Sequence, residues 1–209
     1  MGERAAGNLE LVGGSLCLDY ANTVSTRTEG LCREYLTSYD ELVEWSHHVG
    51  ILTSEEASVL RNNAACHPDQ ATATLSRAVA VRETLYRVFS SIAHDQEPYT
   101  ADLATLNRVL REGLSRMEIS PDGPGFAWTW VVDKEELDRI LWPILRSAAD
   151  LLTSEDLRRV QQCARDGCDW LFLDLSKNQS RRWCSMDTCG SRVKSRRYYR
   201  RRKHRERTG

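Results

Sequence analysis

Four cysteines near the carboxyl-terminal end stand at a spacing with chemical meaning. Four residues separate Cys163 from Cys168 and Cys184 from Cys189, and fifteen lie between the two pairs. Two close pairs on separate turns can converge on one tetrahedral ion, and thiolates suit zinc by charge and softness. The commoner spacing has two residues inside each pair, so this is a wider version of the pattern. With all four ligands cysteine the site is closed, whereas catalytic zinc keeps three protein ligands and an open position for water. His47 and His48 are adjacent and cannot ligate as an i, i+4 pair, and the deaminase pattern is missing. Neither a phosphate-binding glycine loop nor a nucleophile elbow is found. The residues therefore point to one structural zinc ion in a protein that is not an enzyme.

The second chemical feature starts where the last cysteine ends. Beyond Gly190 come Arg192, Lys194, Arg196, Arg197, Arg200, Arg201, Arg202, Lys203, Arg205 and Arg207. Ten cations distributed around one helix repel each other, so the segment is expected to order fully against phosphates. Arg192, Lys194, Arg196 and Arg197 are the candidates for base edges in a major groove, where arginine pairs with guanine through two hydrogen bonds. Arg200 and Arg201 are placed on phosphates, and Arg181 and Arg182 could add backbone contacts. The alternative is a solvated tail that keeps the chain soluble. The formal net charge of −1 hides the asymmetry: residues 1 to 156 carry 13 Lys and Arg against 25 Asp and Glu, net −12, and residues 157 to 209 carry 16 against 5, net +11. An acidic body with a basic tail is expected to meet a polyanion.

What positions these groups is mostly helical. Ser38 with Glu41, Thr53 with Glu56, Asp133 with Glu136 and Thr153 with Asp156 each fit an N-cap followed by a carboxylate three residues on. Behind them apolar residues recur at helical spacing, as in Leu42, Trp45 and Val49, or Leu103, Leu106, Leu110 and Leu114. The stripe from Leu137 to Leu152 contains Pro143, where a kink is expected. "MEISPDGPGFAWTWVV" reads as a β-hairpin with Phe126, Trp128 and Trp130 at alternating positions, an aromatic edge over the helical core. Between the cysteine pairs, Trp170 to Leu173 and Arg181 to Trp183 read as the strands of a second hairpin around a polar turn. An isolated hairpin and a helix with almost no apolar stripe are marginal in water, so the metal takes the place of a core. The isolated Cys17, Cys32 and Cys66 read as buried or incidental.

The stretch also resembles the CGNR zinc-finger family of bacterial proteins. The residues that carry the resemblance are the two C-x4-C pairs, Trp170 to Asn178, Arg181 to Met186, and Cys189-Gly190-Ser191-Arg192. Ser191 stands where that family usually has Asn, which bears on helix capping or on base reading. The amino-terminal part resembles the ABATE domain that commonly precedes this finger, through Gly13 to Val24, Tyr39 to Leu52 and the leucine-rich stretch up to Leu152. The resemblance implies a bacterial stress-induced transcription regulator with a helical sensing or dimerising domain and a zinc finger for DNA.

The expectation is thus a mainly α chain: residues 1–156 as a helical regulatory domain with a small β-hairpin, and residues 157–209 as a treble-clef-like zinc module of knuckle, hairpin and basic helix. Duplex DNA is the expected partner and a homodimer the expected form, because one small reader covers few base pairs. Asp19, Asn22, Thr23 and Arg27 are candidates for the wall of a small-molecule effector pocket, with local hydrogen bonding as the alternative. RNA binding is a rival reading, as is a protein adaptor with a redox-sensitive zinc site; a metal-dependent nuclease ranks behind them. With no apolar run of about 18 residues and no signal-peptide pattern, a cytoplasmic location is expected.

Overall fold

The computed structural model describes residues 4–28, 31–131, 136–196, 198 and 199. The body is built from α1 (Leu16–Ala21), α2 (Tyr39–His48), α3 (Ser54–Cys66), α4 (Pro68–Ala93), α5 (Thr100–Leu114) and α6 (Leu141–Leu152). The hairpin strands β1 (Met117–Asp122) and β2 (Gly125–Trp130) stand beside them, and β3 (Val160–Gln162) and β4 (Leu171–Leu173) form a second two-stranded sheet. Helix α4 is the central post, against which α1, α2, α3, α5 and β3 pack.

Local chemistry sets several helix starts. Ser38 Oγ accepts from the Glu41 N–H at 3.2 Å. Thr53 and Glu56 form a complete capping box, each side chain accepting from the other's backbone N–H. Pro68 opens α4, where its missing N–H would have no partner in any case. Of the other expectations, the one at Asp133 lies outside the described residues and the rest are revised. Thr153 closes α6 instead of opening a new helix, its hydroxyl donating to the Ala149 carbonyl at 2.9 Å, and a 3-10 turn at Glu155–Arg159 follows. Around Pro143 there is a change of helix type and no kink inside one helix: a 3-10 turn at Leu137–Ile140 gives way to α6. Pro143 then falls in the first turn of α6, where its ring meets no preceding α-turn. On α5, Leu106 and Val109 are buried but Leu114 is 41% exposed, because Gly113 faces Trp142 in its stead.

Helix α1 is short yet almost wholly buried, with Cys17, Leu18, Tyr20 and Ala21 all at 0% exposure. It lies between α4, α6 and β4. The Tyr20 hydroxyl donates to the Ala78 carbonyl at 2.7 Å and its ring packs on Trp45. The Gly13-Gly14 pair before α1 is there for space. A Cβ on Gly13 would lie 2.7 Å from the Asp19 nitrogen, and Gly14 has a φ of +74°. That close approach lets the Gly13 carbonyl accept from the Leu173 N–H at 2.8 Å, joining the entry of α1 to the edge of β4.

The second sheet differs from the one expected. Strand β4 pairs antiparallel with β3, in the register Val160↔Leu173, Gln161↔Phe172, Gln162↔Leu171, and residues 181–183 form no strand. Alternation along the run Trp170 to Leu173 explains its unbroken apolarity. Leu171 and Leu173, with Val160, enter the helical core, while Trp170 and Phe172 on the opposite face join the four cysteines in a second cluster. One strand is thus the wall between two cores.

Candidate metal centre and the basic helix beside it

Three turns deliver the four sulfurs. Cys163 leaves β3 with its N–H donating to the Trp170 carbonyl at 2.9 Å, and Cys168 closes the knuckle by donating to the Arg165 carbonyl at 3.0 Å. Cys184 follows the loop anchored by Asp174. That buried carboxylate accepts from the Ser176 N–H and hydroxyl and from the Arg181 N–H, at 2.9, 2.5 and 2.8 Å. Burial works against its charge, but these hydrogen bonds prevail and hold its pKa below the usual range. Cys189 sits in a π-type turn, Met186–Gly190, started by Ser185, whose hydroxyl accepts from the Thr188 N–H.

The sulfurs of Cys163, Cys168, Cys184 and Cys189 all lie within 4.8 Å of each other, and all four residues are buried. Measured separations are 3.8 Å for Cys168 to Cys184, 3.4 Å for Cys184 to Cys189 and 3.7 Å for Cys168 to Cys189. A tetrahedron with Zn–S bonds of about 2.3 Å has edges of about 3.8 Å, so the donor set fits one zinc ion. These distances exclude disulfides among them, which need about 2.05 Å. The expected ligands are therefore brought together.

Four thiolates so close cannot coexist without a cation. Hydrogen bonds from Cys163, Cys168 and Cys184 draw the pKa of Cys189 far below that of a free thiol, and the Arg165 Nε–H, donating to its Sγ at 3.1 Å, adds to this. The same sharing, with Cys163 foremost, pushes Cys184 up. A divalent cation lifts the conflict by binding all four sulfurs and offsetting two of their four charges. Arg165 escaped the sequence reading; the signal was a cation inside the first cysteine pair, close enough in sequence to donate an N–H to a ligand sulfur.

The cations expected to meet nucleic acid divide. Arg192, Lys194 and Arg196 are exposed on the helix at residues 191–196, which leaves directly from Cys189. Arg196 lies 3.7 Å from the Asp166 carboxylate at the fully solvated rim. Arg182 is exposed, with its guanidinium 5.9 Å from the Trp183 ring. Arg181 departs from the expectation. Its guanidinium turns inward over the Phe172 ring and donates to the Trp183, Leu173, Val12 and Cys184 carbonyls. Four carbonyls converging on one site outweigh solvent for a planar five-donor group. Arg197, Arg200 and Arg201 lie outside the described residues. Ser191 caps nothing; its hydroxyl donates back to the Asp187 carbonyl at 2.5 Å. A small notch beside the metal site is lined by Arg4, Arg165 and Arg192 with Ser25 and Thr188. Arg4 stands 5.1 Å from the Trp170 ring.

The four polar residues near α1 lie where body meets finger, and each has protein partners. The Asn22 side chain donates to the Leu171 carbonyl at 2.8 Å and accepts from the Leu171 N–H at 2.9 Å. Thr23 donates to the Tyr20 carbonyl at 2.8 Å. Arg27 grips Glu83 at 2.7 Å and lies over the Tyr86 ring, while its backbone N–H donates to Asp169 at 2.6 Å. Asp169 also accepts from the Thr26 hydroxyl, and the Trp170 indole donates to the Val24 carbonyl at 2.7 Å. Asp19 accepts from the Gly13 N–H at 2.7 Å, and burial pushes its pKa up to about 6. Behind them Arg82, 2% exposed, is held by Glu34 and Glu83. Of the isolated thiols, Cys17 is buried and raised to about 11 by desolvation, whereas Cys32 and Cys66 are exposed.

Fold and site together define a helical protein with a four-cysteine zinc finger whose outgoing helix is basic. Residues 14–155 match ABATE, described as "Putative stress-induced transcription regulator", and residues 159–202 match the CGNR zinc finger. The chain belongs to the ABATE family and carries a CGNR zinc finger at its carboxyl-terminal end. No curated protein matches it. No helix among the described residues is long and apolar enough to cross a membrane.

Proposed function

We propose that this protein is a non-enzymatic, zinc-dependent transcription regulator that reads duplex DNA with the helix leaving Cys189. The observation that carries the reading is the placement of Arg192, Lys194 and Arg196, all exposed, within two turns of a metal ligand. Zinc holds the first turn rigidly, so these side chains can be aimed instead of merely tethered. The acidic body, net −12, keeps phosphates away from the rest of the surface and directs them to this end. The body is the regulatory part. Asn22, Val24, Thr26 and Arg27 join its first helix to Leu171, Trp170 and Asp169, so an effector that shifted α1 would reach the finger without a hinge.

The test is selection from a random-sequence duplex library at near-physiological salt, repeated after zinc chelation. Enrichment of one motif that disappears with the metal supports the reading. Binding without enrichment that collapses as salt rises would reduce the helix to a polyanion grip. RNA is the second reading, favoured by Tyr198 and Tyr199, which are 62% and 66% exposed and free to stack on bases. Competition between duplex DNA and structured RNA separates the two.

A further inference from the structure

The β1–β2 hairpin carries an apolar face that, among the described residues, is left largely uncovered. Its register pairs Met117 with Trp130, Ile119 with Trp128 and Pro121 with Phe126. Directly paired residues of an antiparallel ribbon share a face, so these six make one surface without a charge or a hydroxyl. The opposite face is polar, with Ser120 and Thr129 hydrogen-bonded to each other at 2.8 Å. Among the described residues only the base of the apolar face is anchored: Trp130 packs on Trp142, and Arg146 donates to the Met117 sulfur at 3.4 Å. Toward the tip Ile119 is 61% exposed, Trp128 58% and Phe126 76%. The hairpin was expected to lie over the helical core with all three aromatics, yet only Trp130 does so.

We infer that this face is the dimer interface, and that its occupant is the same face of a second copy of the chain. Taking large side chains at 150–250 Å² each, Ile119, Trp128 and Phe126 leave about 400 Å² open per copy. That is the size of the largest patches on soluble monomers and about half of the ~800 Å² per partner in a standard interface. It matches the apolar centre of such an interface, with the backbone edges of the ribbon supplying a polar rim. Absence of charge on the face decides the occupant. A nucleic acid or a strongly charged protein would find no countercharge there, whereas an uncharged apolar ribbon is complementary to itself about a two-fold axis. Stacking two ribbons also removes the weakness of a two-stranded sheet standing in water. The inference rests on the ribbon alone and holds whether the terminal helix meets DNA or RNA.

Sedimentation equilibrium of the zinc-loaded full chain at micromolar concentration tests it, with the Phe126→Ser, Trp128→Ser double variant alongside. The parent should be a dimer and the double variant a monomer, its dissociation constant raised at least a hundredfold, with far-ultraviolet circular dichroism and zinc content unchanged. Raising the salt should tighten the parent dimer, since it screens repulsion between two acidic bodies and leaves apolar contact intact. Should the double variant misfold, Phe126→Asp at the tip, farthest from the body, sets two like charges against each other across the axis and should also give a monomer. A monomeric parent at the highest concentration, or a dimer that persists in folded variants, would overturn the inference.

Discussion

Replacing Asn22 by Ala should loosen the finger from the body and destabilise the whole chain. Asn22 is 2% exposed and Leu171 0%, so neither has water to turn to. The Asn22 amide satisfies both backbone groups of Leu171, acting as a one-residue continuation of the sheet. Truncation leaves a buried N–H and a buried C=O without partners, at ~1–3 kcal/mol each. A total of about 3 kcal/mol is expected, which lowers the melting temperature by roughly 6–12 °C for a chain of this size. Urea unfolding of the zinc-loaded protein, followed by fluorescence and circular dichroism together, measures it. Asn22→Asp sharpens the test. A carboxylate still accepts from the Leu171 N–H but sets a second oxygen against the Leu171 carbonyl, so this variant should be worse than Ala at pH 8. Its folded-state pKa is raised, and protonation restores a donor, so the deficit relative to the parent should shrink between pH 8 and pH 6. A cost below 1 kcal/mol for Ala, or an Asp deficit equal at both pH values, would refute the reasoning.

Other outcomes follow from the same contacts. Because Val160, Leu171 and Leu173 belong to the helical core, chelating zinc should lower the melting temperature of the body itself, by about 10 °C if bound zinc contributes ~4 kcal/mol; an unchanged body transition in differential scanning calorimetry would show that the finger melts alone. Arg165→Ala removes the N–H donor to the Cys189 sulfur and should weaken zinc binding about 10- to 100-fold against a chromogenic chelator, with the fold unchanged. Asp19, raised from 3.8 to about 6 by burial, binds its proton more tightly in the folded state. Its contribution therefore falls as pH rises from about 4 to about 6. The stability difference between the parent and Asp19→Asn should shift in favour of the variant by on the order of 2 kcal/mol over that window; a flat difference would show that Asp19 titrates normally.

The sequence by itself determined what depends on near neighbours. Cysteines with four residues between them can close a tight turn from local chain alone, so the ligand set was legible from spacing. The caps at Ser38 and Thr53 are hydrogen bonds within three residues, and the turn-rich "SPDGPG" brings β1 and β2 together. What only the tertiary structure decided are contacts that no local rule specifies, some of them between residues more than a hundred apart, as Asn22 with Leu171. The apolar run Trp170 to Leu173 announces burial on both faces, but no local rule says that β3 is its neighbour or that Asn22 completes its edge. Arg181 reads as a cation like those after it; the carbonyls of Val12 and Leu173, joined by those of its neighbours Trp183 and Cys184, turn it inward. Phe126 and Trp128 alternate like core residues, and whether they are covered depends on how far the ribbon extends beyond Trp142. Spacing encodes geometry that the chain carries locally, whereas the direction of a side chain is settled by whatever the rest of the chain brings to meet it.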